Sequence, residues 1–255
     1  MAAVRSERRV ALITGAAQGL GHATAVRLAA DGFAVAVNDV RDDGRLTELA
    51  ARIGGLALPG DIADPMAVTA MVAKLVAEQG RVDALVANAA AMQMAPFLEQ
   101  SAADWWRQID VNLSGHFRLV QAVVPHMRAA GSGRIVLIAS EWGVSGHANA
   151  TAYGASKAGL IALAKGLARE LGPQGILTNA VAPAYIDTEQ LQVDADDAGV
   201  SLDEVKAMYG DLVPIGRIAT VEEVAGAVSF LLGAGGSAVV GQTLQPNGGV
   251  IRTRA

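Results

Sequence analysis

Apolar and polar positions along the 255 residues follow two alternating rhythms. Short apolar runs of strand length occur at Val10–Thr14, Ala34–Asn38, Leu56–Pro59, Ala84–Ala87, Ile135–Ala139, Leu177–Val181 and Thr243–Gln245. Between them apolar residues recur with helical period at Leu20–Asp31, Arg45–Ile53, Pro65–Gln79, Ala102–Ala130, Ala152–Leu171 and Val221–Leu232, and Asp64, Ser101, Thr151 and Thr220 stand where N-caps are expected. Runs without alternation are strands buried on both faces, and strand-helix alternation is the pattern of a parallel sheet covered on both sides. The pattern predicts an α/β fold with a doubly wound, seven-stranded parallel sheet. No internal repeat or Pro/Ser-rich linker divides the chain, so residues 1–255 are expected to form one domain.

One segment breaks the rhythm. From Tyr185 to Pro214 the chain is first acidic (Asp194, Asp196, Asp197) and then amphipathic (Leu202, Val205, Met208, Tyr209). An insertion of this kind at a strand end is expected to be a substrate lid, spanning about residues 185–214. The charge-free stretch Val224–Ile251 is interrupted by glycines, Gln242, Gln245, Pro246 and Asn247, so it predicts a buried helix and a buried strand, not a membrane span.

Composition narrows the function. Hydrophobic residues make up 52 % of the chain and charged residues 18 %, which excludes a disordered protein. A net charge of −5 gives no basic footprint for nucleic acid. With no cysteine there is no disulfide framework, thiolate metal site or cysteine nucleophile, and none of the four histidines falls in H-E-x-x-H, so no metal is expected. The Arg-bearing start, Met1 to Arg9, leads into an apolar run too short for a secretory signal, and a cytoplasmic location is expected.

The first strand runs into Thr14-Gly15-Ala16-Ala17-Gln18-Gly19-Leu20-Gly21 and then a helix. Glycines at a strand-to-helix turn let a diphosphate approach the backbone, where unpaired N–H groups and the helix dipole favour the anion. Alone, the G-x-x-x-G-x-G spacing also suits a plain tight turn. Asp39 ends the second strand, where a carboxylate reaches the ribose hydroxyls of an adenosine and repels a 2′-phosphate, which favours NAD. Arg41 lies two residues on and would suit NADP. Tyr153 and Lys157 stand one helical turn apart, so their side chains share a face, and a nearby ammonium favours the phenolate of a tyrosine acting as acid or base. Ser140 follows a buried strand and offers a hydroxyl to a substrate oxygen.

Taken together, Thr14-Gly15 with Gly19 and Gly21, Asp39, Asp61, Asn88-Ala89, Asn112, Ser140, Tyr153 with Lys157, and Asn179 with Pro183 resemble the short-chain dehydrogenase/reductase family over essentially the whole length. The resemblance implies a Rossmann fold and hydride transfer between a nicotinamide cofactor and an alcohol or carbonyl substrate. It assigns acid/base work to Tyr153, ribose binding and support of the phenolate to Lys157, and orientation of the substrate oxygen to Ser140. Asn112 would hold a relay water; otherwise it is a polar residue on an exposed helix face. Cofactor contacts are implied for Gly15, Gln18, Gly19, Leu20, Gly21, Asp39, Asp61, Ile62, Asn88, Tyr153, Lys157, Pro183, Ile186 and Thr188. Three motifs depart from the family pattern: Ala87-Asn88-Ala89-Ala90 for N-N-A-G, Pro183-Ala184 for P-G, and Asn247-Gly248-Gly249 for D-G-G.

Trp142 and Tyr185 are placed to line an apolar substrate pocket with Ser140 and Tyr153, or else to serve a subunit contact and a lid hinge. Glu141 and His147 share the Ser140 loop and read as solvated residues or as contacts to a polar substrate group. By the resemblance, the long helix and the Tyr153 helix pair across symmetry axes in a homotetramer. A dinucleotide-binding protein without catalysis is the alternative, but it gives Asn112, Ser140, Tyr153 and Lys157 no common purpose.

Overall fold

The structure is a computed structural model that describes residues 6–251; the first residues of the Arg-bearing N-terminus, 1–5, and residues 252–255 lie outside the described residues. Seven parallel strands form one sheet: β1 (Val10–Thr14), β2 (Ala34–Asn38), β3 (Leu56–Ala57), β4 (Ala84–Ala87), β5 (Gly133–Ile138), β6 (Ile176–Val181) and β7 (Thr243–Leu244). Their order is β3-β2-β1-β4-β5-β6-β7. The winding reverses between β1 and β4, and the loops leaving those two strands diverge to opposite faces and open a crevice at their C-terminal ends.

Alternate residues of each strand feed two separate cores. Leu12, Leu85, Ile135 and Leu137 pack on one face with Leu75, Leu119 and Leu160, while Ile13, Val86, Val136 and Ile138 pack on the other with Leu28, Leu49 and Val228. The first face is covered by α3 (Pro65–Gln79), α5 (His116–Ala130) and α7 (Thr151–Leu171), the second by α1 (Gly19–Ala30), α2 (Arg45–Ile53) and α10 (Val221–Leu232). The apolar runs that form β1, β2 and β4 are thus buried on both sides, as their lack of alternation requires.

Several expectations need correction. The predicted helix Ala102–Ala130 is α4 (Ala102–Ile109) and α5 joined by a π-helical turn at Asp110–Gly115. Asp64, Ser101 and Thr220 do cap α3, α4 and α10 by accepting from a backbone N–H in the first turn, but Thr151 is the first residue of α7, whose N-cap is Ala150 without a side-chain bond. The strand after α10 is short and half-exposed, not buried, since β7 is an edge. A one-turn helix, α6 (Trp142–Ser145), and two helices in the irregular segment, α8 (Gln190–Ala198) and α9 (Leu202–Asp211), were not foreseen. The last two hold together through their own small core of Leu191, Ala195, Val205 and Ile218. Among the described residues no helix is long and apolar enough to cross a membrane, and no group of three or more His, Asp or Glu side chains is placed to hold a metal ion.

A buried carboxylate fixes the start of the central strand pair. Asp83 accepts from the Val10 N–H at 2.7 Å and from Arg81 at 2.8 and 2.5 Å. Asp83→Ala strips both donors of their partner at a nearly buried site and is expected to cost about 3 kcal/mol, read as a lower urea midpoint. An unchanged midpoint would remove Asp83 from the account of stability.

Candidate active site

The crevice begins at the glycine turn. Gly15 adopts φ +66°, and a Cβ there would stand 2.7 Å from the Ala89 Cα; a Cβ on Gly21 would stand 2.1 Å from the Gly15 carbonyl oxygen. Neither position admits a side chain, so the turn lies directly against the loop after β4. Asn88 ties the two together: its Nδ2 donates to the carbonyls of Thr14 and Gly15 at 3.0 and 3.1 Å, and its backbone N–H donates to Thr14 Oγ1 at 3.1 Å. Gln18 is the N-cap of α1 but makes no side-chain cap bond, which leaves the first N–H groups of the helix for another acceptor. Leu20 turns its side chain into the core beneath, so only its backbone can face a ligand.

A cleft of about 680 Å³ follows from this turn, lined by Gly15, Gln18, Gly19, Asp39, Asp61, Ile62, Asn88 and Thr188. Asp39 accepts from the backbone N–H of Ala17 at 3.1 Å and of Val40 at 2.8 Å, which presents its carboxylate at the end of β2. Asp61 accepts from the Ala63 N–H at 2.9 Å and pairs with Arg107 at 3.1 Å, while Ile62 is buried beside Gly115. Arg41 and Arg45 line the same cleft; Arg45 is engaged by Asp43 at 2.7 Å and by Gln18 at 2.6 Å. Thr188 and Glu189 sit over Gly19, so the segment after β6 covers the glycine turn. A cleft with a tight glycine turn on one side and the Asp39 carboxylate at the end of β2 fits a dinucleotide.

The second cluster lies at the ends of β5 and β6, outside that cleft's lining. Lys157 is fully buried, and its Nζ donates to the Ile138 carbonyl at 2.7 Å and stands 5.4 Å from the centroid of the Tyr153 ring. Burial brings the Lys157 pKa down to about 7. Desolvation pushes the Tyr153 phenol up to about 12 in the bare protein, against a smaller pull downwards from the Ser140 hydroxyl. The shared helical face thus brings Tyr153 and Lys157 together as expected, but the phenol is harder to ionise, not easier, because its own desolvation outweighs the pull of the Ser140 hydroxyl.

Asn112 is entirely buried in the π-helical turn, which rules out the exposed-face reading. Its Oδ1 accepts from the Ala91 N–H at 2.7 Å, and its Nδ2 donates to the Ala91 carbonyl at 2.8 Å and to Ser156 Oγ at 3.2 Å. Ser156 donates in turn to the Tyr153 carbonyl at 2.7 Å, so the amide links the loop after β4 to the Tyr153 helix. Trp142 stacks on His147 at 4.0 Å between centroids and meets Tyr153 edge-on at 5.8 Å, and Tyr185 stacks on Tyr209 of α9 at 4.5 Å. Pro183 is buried, its carbonyl accepting from the Glu141 N–H at 2.9 Å, and Ile186 bridges to Ala219.

Two buried groups were not anticipated by the sequence. His116 accompanies Lys157 in the core: its Nε2 donates to the Ala89 carbonyl at 2.9 Å, and burial, then the Lys157 charge, hold its pKa at about 3. Glu141 is 3 % exposed, which overturns the solvated one of its two sequence readings, and burial pushes it up to about 7. The only signal available was its place between Ser140 and Trp142.

The Lys157 pKa makes stability depend on pH. Its folded value, about 7, lies below the ordinary 10.5, so between these values the unfolded chain binds the additional proton and stability rises with pH. Glu141 acts in the window below, from 4.5 to about 7, with the opposite sign. Urea midpoints should therefore climb between about pH 7 and pH 9 in the unaltered protein and lose that slope in Lys157→Met; parallel curves would contradict a buried, depressed lysine.

Comparison with known proteins agrees with this layout. A family model described as enoyl-(acyl carrier protein) reductase matches residues 15–251. The chain is 41 % identical to the cis-4-hydroxycyclohexanecarboxylate dehydrogenase of Sinomonas cyclohexanicum, covering 94 % of this chain and 96 % of that protein. It is 36 % identical to the 3-oxoacyl-[acyl-carrier-protein] reductase of Escherichia coli (strain K12), covering 96 % and 98 %. The crystal structure of levodione reductase superposes with a TM-score of 0.90 at 32 % identity, covering 96 % of this chain and 98 % of that one. With matches of this extent and a sheet, glycine turn and Ser-Tyr-Lys cluster arranged as described, the chain belongs to the short-chain dehydrogenase/reductase family, oxidoreductases that work with nicotinamide cofactors.

Proposed function

We propose that this protein is an NAD-dependent dehydrogenase, or ketone reductase in the reverse direction, acting on a secondary alcohol whose carbon skeleton carries a ring. The observation that carries the reading is the convergence of Ser140, Tyr153 and the buried Lys157 at the ends of β5 and α7, beside a cradle no side chain can enter. The backbone of Gly15, Gln18, Gly19, Leu20 and Gly21 holds the diphosphate, Asp39 the adenosine ribose, Asp61 and Ile62 the adenine edge, and Asn88 the adenosine side of the crevice. Tyr153 and Lys157 take the nicotinamide ribose, and Pro183, Ile186 and Thr188 the nicotinamide end. The bound dinucleotide supplies the hydride acceptor or donor and, when oxidised, a positive charge beside the phenol.

Ser140 donates to the substrate oxygen, and Tyr153 removes its proton in oxidation or returns one in reduction. Bringing the phenol from about 12 towards neutrality takes roughly 7 kcal/mol of differential interaction. The Lys157 ammonium, with its Nζ 5.4 Å from the ring centroid, contributes part of this, and only in its protonated form. Lys157 is therefore necessary and insufficient, and the Ser140 hydrogen bond and the charge of the loaded site supply the rest. Asn112 fixes the π-helical turn against the Tyr153 helix, where a relay water would be held for Lys157.

Asp39 disfavours a 2′-phosphate, which supports NAD. NADP-linked carbonyl reduction is the second reading, favoured by Arg41 and Arg45 in the same cleft. Trp142 supplies an aromatic wall beside Tyr153, and Tyr185 a second aromatic surface with Tyr209, in line with a relative named for a hydroxycyclohexanecarboxylate. Residues 185–214 act as the lid over the site. We assign the protein to the cytoplasm as a homotetramer, in line with Trp106 and Phe117 remaining exposed on α4 and α5.

A screen of ring-bearing and linear secondary alcohols, read at the reduced-nicotinamide absorbance band with NAD and with NADP, tests the reading. Turnover with NAD is expected, falling by about two to four orders of magnitude in Tyr153→Phe while dinucleotide affinity changes little. Dinucleotide binding with no turnover of any alcohol or ketone would leave a binding protein instead. Light scattering should report four chains per particle, and a monomer mass would dismiss the assembly.

A further inference from the structure

Glu141 has no role in the hydride transfer proposed above, yet it is one of the most buried charged residues in the protein. It directly follows Ser140 and is tied to the segment after β6 and to α6: its N–H donates to the Pro183 carbonyl at 2.9 Å, and its own carbonyl accepts from Val144 and Ser145 at 2.8 and 2.9 Å. The side chain is 3 % exposed, and its Oε2 is buried with no hydrogen-bond partner. Among the described residues no lysine, arginine or histidine pairs with it. Its charge is felt by the side chain of Tyr185, which is stacked on Tyr209 of α9.

A purely structural carboxyl in such a place is expected to be satisfied by a backbone or side-chain donor, since an unpaired buried polar group is costly and an apolar residue of equal size would serve packing better. Here the acceptor is preformed and its donor is missing, one residue from the hydroxyl that holds the reacting oxygen. We propose that Glu141 selects the substrate by accepting a hydrogen bond from a second polar group, a hydroxyl or an ammonium, carried beside the reacting carbon. This rests on the oxidoreductase reading and makes the preferred substrate a diol, hydroxyketone or amino alcohol. Burial, which pushes the carboxyl up to about 7, fits a group that awaits such a donor. A site built around a hydrogen-bonded substrate group discriminates strongly against the analogue without it, because its own polar atom is then left unpaired.

The experiment compares trans-cyclohexane-1,2-diol, trans-2-aminocyclohexanol and cyclohexanol in the unaltered protein, Glu141→Gln and Glu141→Leu, with unfolding midpoints to confirm that each variant is folded. The unaltered protein should prefer at least one donor-bearing alcohol to cyclohexanol in kcat/KM. Glu141→Leu should lower that ratio by about 10- to 100-fold. Glu141→Gln, which keeps an acceptor without the charge, should retain much of the diol preference and lose any preference for the amine, which tells the two donors apart. No preference in the unaltered protein, or ratios unchanged in both variants, overturns the proposal. Should no alcohol be turned over, calorimetric titration of the diol and cyclohexanol into the NAD-loaded protein separates the two ideas: a diol preference lost in Glu141→Leu upholds Glu141 while the oxidoreductase reading falls, and equal binding sinks both.

Discussion

The burial of one ammonium governs the rest of this structure. Among the described residues Lys157 has no carboxylate partner; it rests on the carbonyl of Ile138 at the end of β5, and desolvation takes its pKa to about 7. A cation placed in this way acts strongly on whatever approaches, because little solvent screens it. It also destabilises the protein in its charged form, so the surrounding elements must hold it in place. The doubly wound sheet does this by setting Lys157 on α7, which packs across β5 and β6, with apolar residues below and the crevice above.

The supporting structure keeps competing charges away. His116, buried near Lys157, is held neutral with its Nε2 on the Ala89 carbonyl, so it contributes orientation and not a second cation. Asn112 and Ser156 join the loop after β4 to the backbone of Tyr153, which makes the distance between the glycine crevice and the phenol a property of three elements at once. The π-helical turn is the device that aims Asn112 inwards, and such turns are frequently found at functional sites.

The aromatic side of the crevice is built differently. Trp142, His147, Tyr185 and Tyr209 contact one another as two stacked pairs on loops and short helices, and α8 and α9 have their own small core. Elements tied down by few buried contacts open more readily than the sheet, which suits a region that must admit and release a ligand. Within this largely apolar wall the carboxyl of Glu141, whose Oε2 is buried without a hydrogen-bond partner, is the outlying feature.

Much of this was legible in the chain itself. The apolar runs at Val10–Thr14, Ala34–Asn38 and Ala84–Ala87 coincide with β1, β2 and β4, because a strand buried on both faces must be apolar throughout and is bounded where polarity returns. Tyr153 and Lys157 had to share a face because helical period is local, and Gly15 and Gly21 marked a turn without room for side chains. Tertiary structure alone decided the π-helical turn, the burial of Asn112, His116 and Glu141, the exposure of β7, and the ionisation of the Tyr153-Lys157 pair. These depend on which distant segments cover a residue and remove its water, and the side chain's own neighbours in sequence carry no record of that.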